Sequence, residues 1–309
     1  MKTAIGNAER IVLIAHVNPD ADSMGSACAM YAHLLRLRKK VTLFCASETI
    51  DSRLGFIPWS EKVTARWDER ADLAIAFDCG SYARLGVEPH CPLVNVDHHA
   101  GNEGYGDIVL VDPDAVSTTA VLYRWFSAEG IRFNPKMATA LYAGLADDTD
   151  GFRSGRCDAA VFETAAALIR AGADSRSAAH ALFVRRPLSA LRLKGKMFET
   201  LELLCDGRLA VLEATRRMFE ATGADAAACD DALNEAMGLP TVRAGVLLRE
   251  RSDGSVKVSL RGTDGTDVGK IAASFGGGGH RFASGFTVTG EVLSPVREAV
   301  VSILQKELT

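Results

Sequence analysis

Three short apolar runs in this chain each stop at an acidic or imidazole side chain. Residues 11–15 run into His16-Val17-Asn18-Pro19-Asp20-Ala21-Asp22, residues 73–77 into Asp78, and residues 93–96 into Asp97-His98-His99. Runs of four or five apolar residues with polar ends read as buried strands. Residues 23–38 read as a helix, with Met24, Ala27, Cys28, Tyr31, Leu34 and Leu35 on one face. Residues 41–45 and 108–111 add two more strand candidates. Strands alternating with helices predict an α/β fold with a doubly wound, largely parallel sheet. Ligand sites in such sheets form past the carboxyl ends of the strands. The three polar clusters are therefore expected in one crevice, although tens of residues separate them.

After residue 118 the pattern turns helical, with candidates at 119–128, 136–146 and 158–169. The second of these ends in Asp147-Asp148-Thr149-Asp150, a fourth acidic cluster. A helix over 188–204 follows Pro187, which suits a first turn. Beyond it, strands at 209–212, 244–249, 256–260 and 286–288 and helices at 268–274 and 295–306 describe a smaller α+β domain, with a hairpin turn at Glu250-Arg251-Ser252-Asp253-Gly254. The expected organisation is a catalytic domain over 1–186, a helical linker over 187–206 and a C-terminal domain over 207–309.

The donor types narrow the chemistry. Carboxylates mixed with imidazoles suit divalent ions of the manganese type better than a thiolate-seeking metal. There are too many acids for one zinc, and a pair of ions would use them all. Such a pair supplies a hydroxide near neutral pH and stabilises both oxygens of an in-line displacement at phosphorus. Taken singly, each cluster has an ordinary explanation. Asp20 and Asp22 would cap the helix that follows, Asp78 would sit in a turn, and the two histidines would lie on the surface. Adjacent residues on a strand point to opposite faces, so the spacing of His98 and His99 is unusual for two ligands of one ion. In the C-terminal region Gly276-Gly277-Gly278-Gly279-His280-Arg281-Phe282-Ala283-Ser284-Gly285 would let backbone N–H groups approach an anion. Otherwise it is a flexible loop. Arg261 on a neighbouring strand favours the anion.

These residues resemble the motifs of the DHH phosphoesterase superfamily. His16-x-x-x-Asp20-x-Asp22-x-x-Gly25-Ser26 is similar to its first motif, Asp78-Cys79-Gly80 to the second, Asp97-His98-His99 to the third and Asp148-Thr149 to the fourth. Gly277 to His280 with Ala283-Ser284-Gly285 resembles the glycine motif of its associated C-terminal domain. The layout is most similar to the stand-alone hydrolases of very short RNA that also dephosphorylate 3′-phosphoadenosine 5′-phosphate. The resemblance implies two manganese ions, with magnesium or cobalt as substitutes. His16, Asp20 and Asp78 would hold one ion, and Asp22, Asp78, His98 and Asp148 the other. Asp97 would orient a ligand, and His99 would meet the substrate phosphate. Arg261, Gly277, Gly278, Gly279, His280 and Ser284 would grip the nucleotide. The fourth motif departs from the family's Asp-Thr-Gly: Asp150 stands where glycine is usual, which leaves Asp147 and Asp150 as rivals of Asp148. Gly262 also follows Arg261 where a serine is common.

Charge limits the partners. With a net charge of −4 over 309 residues there is no broad basic field for long nucleic acid. The expected substrate is short RNA or a nucleotide rather than long duplex. The first ten residues lack the apolar core of a signal peptide, no apolar run spans a membrane, and seven cysteines without a C-x-x-C pair read as small buried hydrophobes in a reducing cytoplasm. Apolar faces such as that of 119–128 could support a homodimer. Other readings are a cyclic-di-AMP or linear diadenylate phosphodiesterase, a RecJ-like single-strand exonuclease, an inorganic pyrophosphatase, and a nucleotide sensor without turnover.

Overall fold

A computed structural model describes residues 1–263 and 265–308, with the side chains of Ala227 and Asp230 left aside. The chain divides into two compact units, Met1–Arg185 and Arg186–Thr309.

The first unit is built on six strands: β1 (Arg10–Ala15), β2 (Lys40–Phe44), β3 (Val63–Thr64), β4 (Leu73–Phe77), β5 (Leu93–Asp97) and β6 (Ile108–Val111). They pair in the order β3-β2-β1-β4-β5-β6, and every pair is parallel. The strands are near-continuous apolar runs because both faces of a parallel sheet are covered. The order reverses between β1 and β4, where the chain leaves β1 for β2 and later returns to β4 on the other side. Ligands bind at this switch point in open α/β sheets. The strands that end in the three polar clusters, β1, β4 and β5, are next to one another at the centre.

Six α-helices belong to this unit: α1 (Lys2–Asn7), α2 (Ala21–Arg36), α3 (Thr118–Ala128), α4 (Pro135–Asp148), α5 (Ala159–Arg170) and the short α6 (Ser175–Ala179). The sequence patterns located each of α2 to α5 within a few residues. Their N-termini are capped by Asp20, Ser117, Asn134 and Asp158, whose side chains accept from backbone N–H groups three residues on. Helices α2 and α4 approach closely because two glycines leave room. A Cβ at Gly25 would lie 2.3 Å from the Ala140 carbonyl oxygen, and one at Gly144 would lie 2.4 Å from the Asp22 carboxylate.

In the second unit α7 (Leu188–Glu199) leads into β7 (Glu202–Leu204). The helix expected to reach residue 204 thus stops at Glu199. The last three residues form an edge strand that pairs antiparallel with β8 (Leu209–Ala214). Helical spacing of Leu201, Leu203 and Leu204 fits a strand as well, and the sheet edge wins. After α8 (Arg216–Thr222) and α9 (Asp230–Met237) come β9 (Ala244–Glu250), β10 (Val256–Gly262), α10 (Val268–Ser274), β11 (Gly278–His280), β12 (Ala283–Val288) and α11 (Leu293–Glu307). The sheet runs β11-β12-β10-β9-β8-β7, antiparallel except for β8 with β9. Val258, Leu260 and Phe286 pack one face against α10 and α11, and Ala210, Leu212 and Leu247 pack the other against α7 and α9. All seven cysteines are free; Cys28, Cys45, Cys79 and Cys229 are buried. No helix among the described residues is long and apolar enough to cross a membrane.

Candidate active site

The carboxyl edge of the first sheet gathers three overlapping groups of donor atoms. His16, Asp20 and Asp78 form one, Asp22, His98 and Asp148 a second, and Asp78, His98 and His99 a third, with one donor atom of each residue within 4.8 Å of the others in its group. Asp78 and His98 are shared, so the groups form one continuous cluster. Asp78 adopts φ 57° directly after β4, a left-handed conformation that costs energy outside glycine, although aspartate tolerates it better than most. Its backbone N–H is fixed to the Val96 carbonyl at 3.0 Å, which aims the carboxylate back across the strand ends.

Each histidine is held in one orientation by its own loop. The Nδ1 of His16 lies 3.0 Å from the Val17 carbonyl, and the Nδ1 of His98 lies 3.2 Å from the Ala115 carbonyl. With the proton on Nδ1, Nε2 is the lone-pair nitrogen of each ring. The Nε2 of His16 sits 3.5 Å from both Asp20 and Asp78, and that of His98 sits 3.1 Å from Asp148 and 3.5 Å from Asp78. His99 diverges from its neighbour. Its Nδ1 donates to Asp97 Oδ1 at 2.7 Å and its side chain is 43% exposed. Asp97 is fully buried and accepts also from the His98 backbone at 2.8 Å and from Asn102 Nδ2 at 2.6 Å.

Asp20 has two jobs. One oxygen caps α2 by accepting from the Ser23 N–H at 2.9 Å, and the other faces His16. Asp22 is fully buried against the start of α3, accepting from the N–H groups of Thr118 and Thr119 at 2.6 and 2.9 Å and from the Thr119 hydroxyl at 2.7 Å. A helix N-terminus favours the anion there. Of the three acids in the fourth cluster, Asp148 alone reaches His98. Asp147 accepts from the Ala21 N–H at 3.0 Å, fastening the start of α2, and Asp150 is exposed and pairs with Arg153 at 2.8 Å.

Packed carboxylates resist ionising together. Burial, then the neighbouring charges of Asp148 and Asp78, pushes the Asp22 carboxyl well up, and burial raises Asp148 against the pull of His98. Burial works against a charge on His16, but Asp20 and Asp78 outweigh it and raise its pKa to about 9. The hydrogen bond to Asp97 raises His99. The cluster is thus short of positive charge, and its donors are oxygen and imidazole nitrogen without a thiolate: the Cys79 thiol donates to the Ser81 carbonyl at 3.2 Å. That set fits divalent cations of intermediate hardness.

The glycine motif of the second unit behaves differently. Gly278–His280 is a strand rather than a loop, paired with β12. A Cβ at Gly277 would meet the Gly285 carbonyl oxygen at 2.3 Å, and one at Gly279 would meet Ser284 Cα at 2.5 Å, whereas Gly278 has open space. Close strand pairing accounts for two of the glycines without any anion. The buried Ser284 hydroxyl donates to the Val268 carbonyl at 2.6 Å and ties β12 to α10, so it is engaged in packing rather than turned to a ligand. Ala283 pairs with Arg261 on one side and His280 on the other, which sets these two on one face of the sheet. Arg261 Nε donates to Asn234 Oδ1 at 3.2 Å.

The DHH family N-terminal domain model matches residues 10–145, and the DHHA1 domain model matches residues 208–306. The bifunctional oligoribonuclease and PAP phosphatase NrnA of Thermus thermophilus is 30% identical over 302 residues, covering 97% of this chain and 90% of that protein. The chain belongs to the DHH family of phosphoesterases. The NrnA protein of Bacillus subtilis is 27% identical over 288 residues, covering 91% of this chain and 90% of the relative. A solved exopolyphosphatase-related protein from Bacteroides fragilis superposes with a TM-score of 0.89 over 99% of this chain and 94% of that one at 23% identity, which shows a common fold. As a DHH phosphoesterase the chain is a hydrolase of phosphate esters.

Around this DHH site stand residues that the motifs did not single out. Thr118 donates its hydroxyl to Asp78 at 3.0 Å, and its signal was the Ser117-Thr118-Thr119 run before a helix. Asn102 links Asp97 to the Gly104 N–H at 2.7 Å. Gly144 admits Asp22, and Arg84 lies against His16; neither had a local signature.

Proposed function

We propose that the chain is a manganese-dependent hydrolase of very short oligoribonucleotides and of 3′-phosphoadenosine 5′-phosphate, resident in the cytoplasm. The observation that carries this reading is the single cluster of His16, Asp20, Asp22, Asp78, His98 and Asp148 at the switch point of the sheet. The NrnA relatives, named for both activities and matched along nine-tenths of their length, support the substrate class. His16, Asp20 and Asp78 would hold one ion, and Asp22, Asp78, His98 and Asp148 the other. When bound, such ions supply a nucleophilic water near neutral pH and offset charge on the phosphoryl group.

The protein's own groups account for the rest. Asp97, locked by Asn102 and the His98 backbone, fixes the His99 ring and keeps a proton on Nδ1. The raised pKa of His99 gives it a proton to donate to a phosphoryl oxygen or to the leaving group. Arg261, Gly278 and His280 would contact the nucleotide.

A substrate panel tests the proposal. RNA of two to five nucleotides, 3′-phosphoadenosine 5′-phosphate, linear and cyclic diadenylate, single-stranded DNA and pyrophosphate are each offered with manganese and after chelation. Release of mononucleotide from short RNA and of phosphate from the bisphosphate, both lost on chelation, is the expected result. Faster turnover of pyrophosphate or cyclic diadenylate would reject it, and binding without turnover would point to a sensor.

A further inference from the structure

Among the described residues, three arginines near the cluster are committed to partners of their own. Arg53 donates to Asp51 at 2.8 Å, Arg153 to Asp150 at 2.8 Å, and Arg156 to the Ala115 carbonyl at 2.6 Å, behind His98. Arg84 differs. Its Nη2 lies 2.9 Å from His16 Nδ1 and 3.1 Å from Nε2, and among the described residues no carboxylate forms an ion pair with it. Its side chain is exposed, yet its charge acts on the Asp20 carboxyl and on the Cys79 thiol.

The backbone that presents it is fixed. The Arg84 carbonyl accepts from the Val17 N–H at 2.9 Å, and the Arg84 N–H donates to the Ser81 carbonyl at 3.1 Å. The turn closes at Gly86, with φ 66°, where a Cβ would lie 2.5 Å from Ala46 and 2.8 Å from Val17. A rigid turn thus holds a long guanidinium, with no anionic partner among the described residues, 3.1 Å from His16 Nε2, the nitrogen that faces Asp20 and Asp78. A structural arginine would be expected to bind a carboxylate or a carbonyl. A guanidinium left without one suits an anion that arrives from outside, and its planar fork matches phosphate oxygens.

We propose that Arg84 is the phosphate-recognition residue of this crevice, contacting a non-bridging oxygen of the phosphoryl group that lies against the Asp/His cluster. The inference deepens the hydrolase reading above and rests on it for the class of substrate. It assigns affinity for the phosphate to the first unit itself.

Calorimetric binding of adenosine 5′-monophosphate to the manganese-loaded protein tests it, with manganese alone titrated in parallel. Arg84→Met is expected to weaken the nucleotide about 10- to 100-fold, the range of a charge-assisted hydrogen bond. Manganese affinity should stay within about threefold, since Arg84 donates nothing to a metal. Arg84→Lys should regain part of the loss, because it restores the charge and not the fork. Unchanged nucleotide affinity in Arg84→Met would overturn the proposal. An equal loss of manganese affinity would overturn it too, by making Arg84 a positioning residue for His16. Because binding is read without turnover, a wild-type protein that cleaves no phosphoester would reject the proposed function and still leave Arg84 tested. Thermal melts of both variants check that the exposed substitution leaves the fold intact.

Discussion

The two motif-bearing regions of this protein use their special residues for opposite ends. At the carboxyl edge of the first sheet, Asp22, Asp78 and Asp148 are crowded together against His16 and His98, with a left-handed backbone at Asp78 and the carboxyl groups of Asp22 and Asp148 pushed up by burial. Nothing in packing requires that arrangement, and much in electrostatics opposes it. At the β11–β12 edge of the second unit, Gly277 and Gly279 are demanded by the neighbouring strand, and Ser284 is bonded to Val268. One region stores unfavourable energy that a ligand could release, whereas the other is already satisfied. A motif that strains the fold points to function more strongly than a motif that the fold itself needs.

The largest test of this contrast is Asp78→Asn. Loss of a residue that two histidines share should lower turnover by more than about 100-fold, beyond what an outer partner of a ligand typically costs. The same change removes one charge from a crowded set, so the melting temperature should hold or rise. Retained turnover would place the reaction elsewhere. In the second unit the expected pattern is inverted. Gly277→Ala should destabilise by about 1–3 kcal/mol, because its Cβ would press on the Gly285 carbonyl and on Phe286. Gly278→Ala meets open space and should leave the melting temperature alone. If denaturant midpoints show both variants equally stable, the glycine run is not a packing motif.

Much of the first unit was legible because buried parallel strands are short apolar runs with sharp polar ends. The strands at 73–77 and 108–111 were read to the residue. The resemblance separated the pair in Val96-Asp97-His98-His99, and the structure sets His98 against Asp148 and His99 against Asp97. What sequence could not supply was contact across distance. Gly144 shapes the pocket of Asp22 from a helix more than a hundred residues away, and Arg84 meets His16 from another loop. In the Gly276–Gly279 run, glycine near a ligand and glycine near another strand look the same in one dimension, and the structure shows strand contact at Gly277 and Gly279. The overlong helix at 188–204 failed, since leucines at 201, 203 and 204 suit either period.

The crowded site also makes stability depend on pH in the metal-stripped protein. The folded pKa of His16 is raised above its ordinary 6.5 to about 9. A raised histidine contributes stability that is full below pH 6.5 and is lost as the pH climbs through about 9. Asp22 and Asp148, also raised, act in the same direction from lower pH. Melts after chelation should therefore fall steadily between pH 6.5 and 9, and added manganese should flatten that slope by replacing the protons. The second unit carries no such cluster among the described residues. A slope that survives manganese would mean that the ions do not bind at His16.

The smallest effect is expected at Asp150, and it sharpens the comparison inside a single motif. Three acids fall within four residues at the end of α4, and composition alone gives each the same claim to a metal. Asp148 turns to His98 at 3.1 Å, Asp147 fastens the Ala21 N–H at 3.0 Å, and Asp150 bonds Arg153 at 2.8 Å. The last pair is exposed on both sides, and exposed ion pairs contribute about 0–1 kcal/mol. Asp150→Ala should therefore change turnover by less than about twofold and leave manganese affinity intact, whereas Asp148→Ala should lose both. Position 150 also has φ 49°, so alanine there adds a small backbone cost and glycine would remove it. Equal activity of Asp150→Gly and the parent, with a slightly higher melting temperature for the glycine variant, is the expected outcome. A collapse of manganese affinity in either variant would transfer the ligand from Asp148 to Asp150.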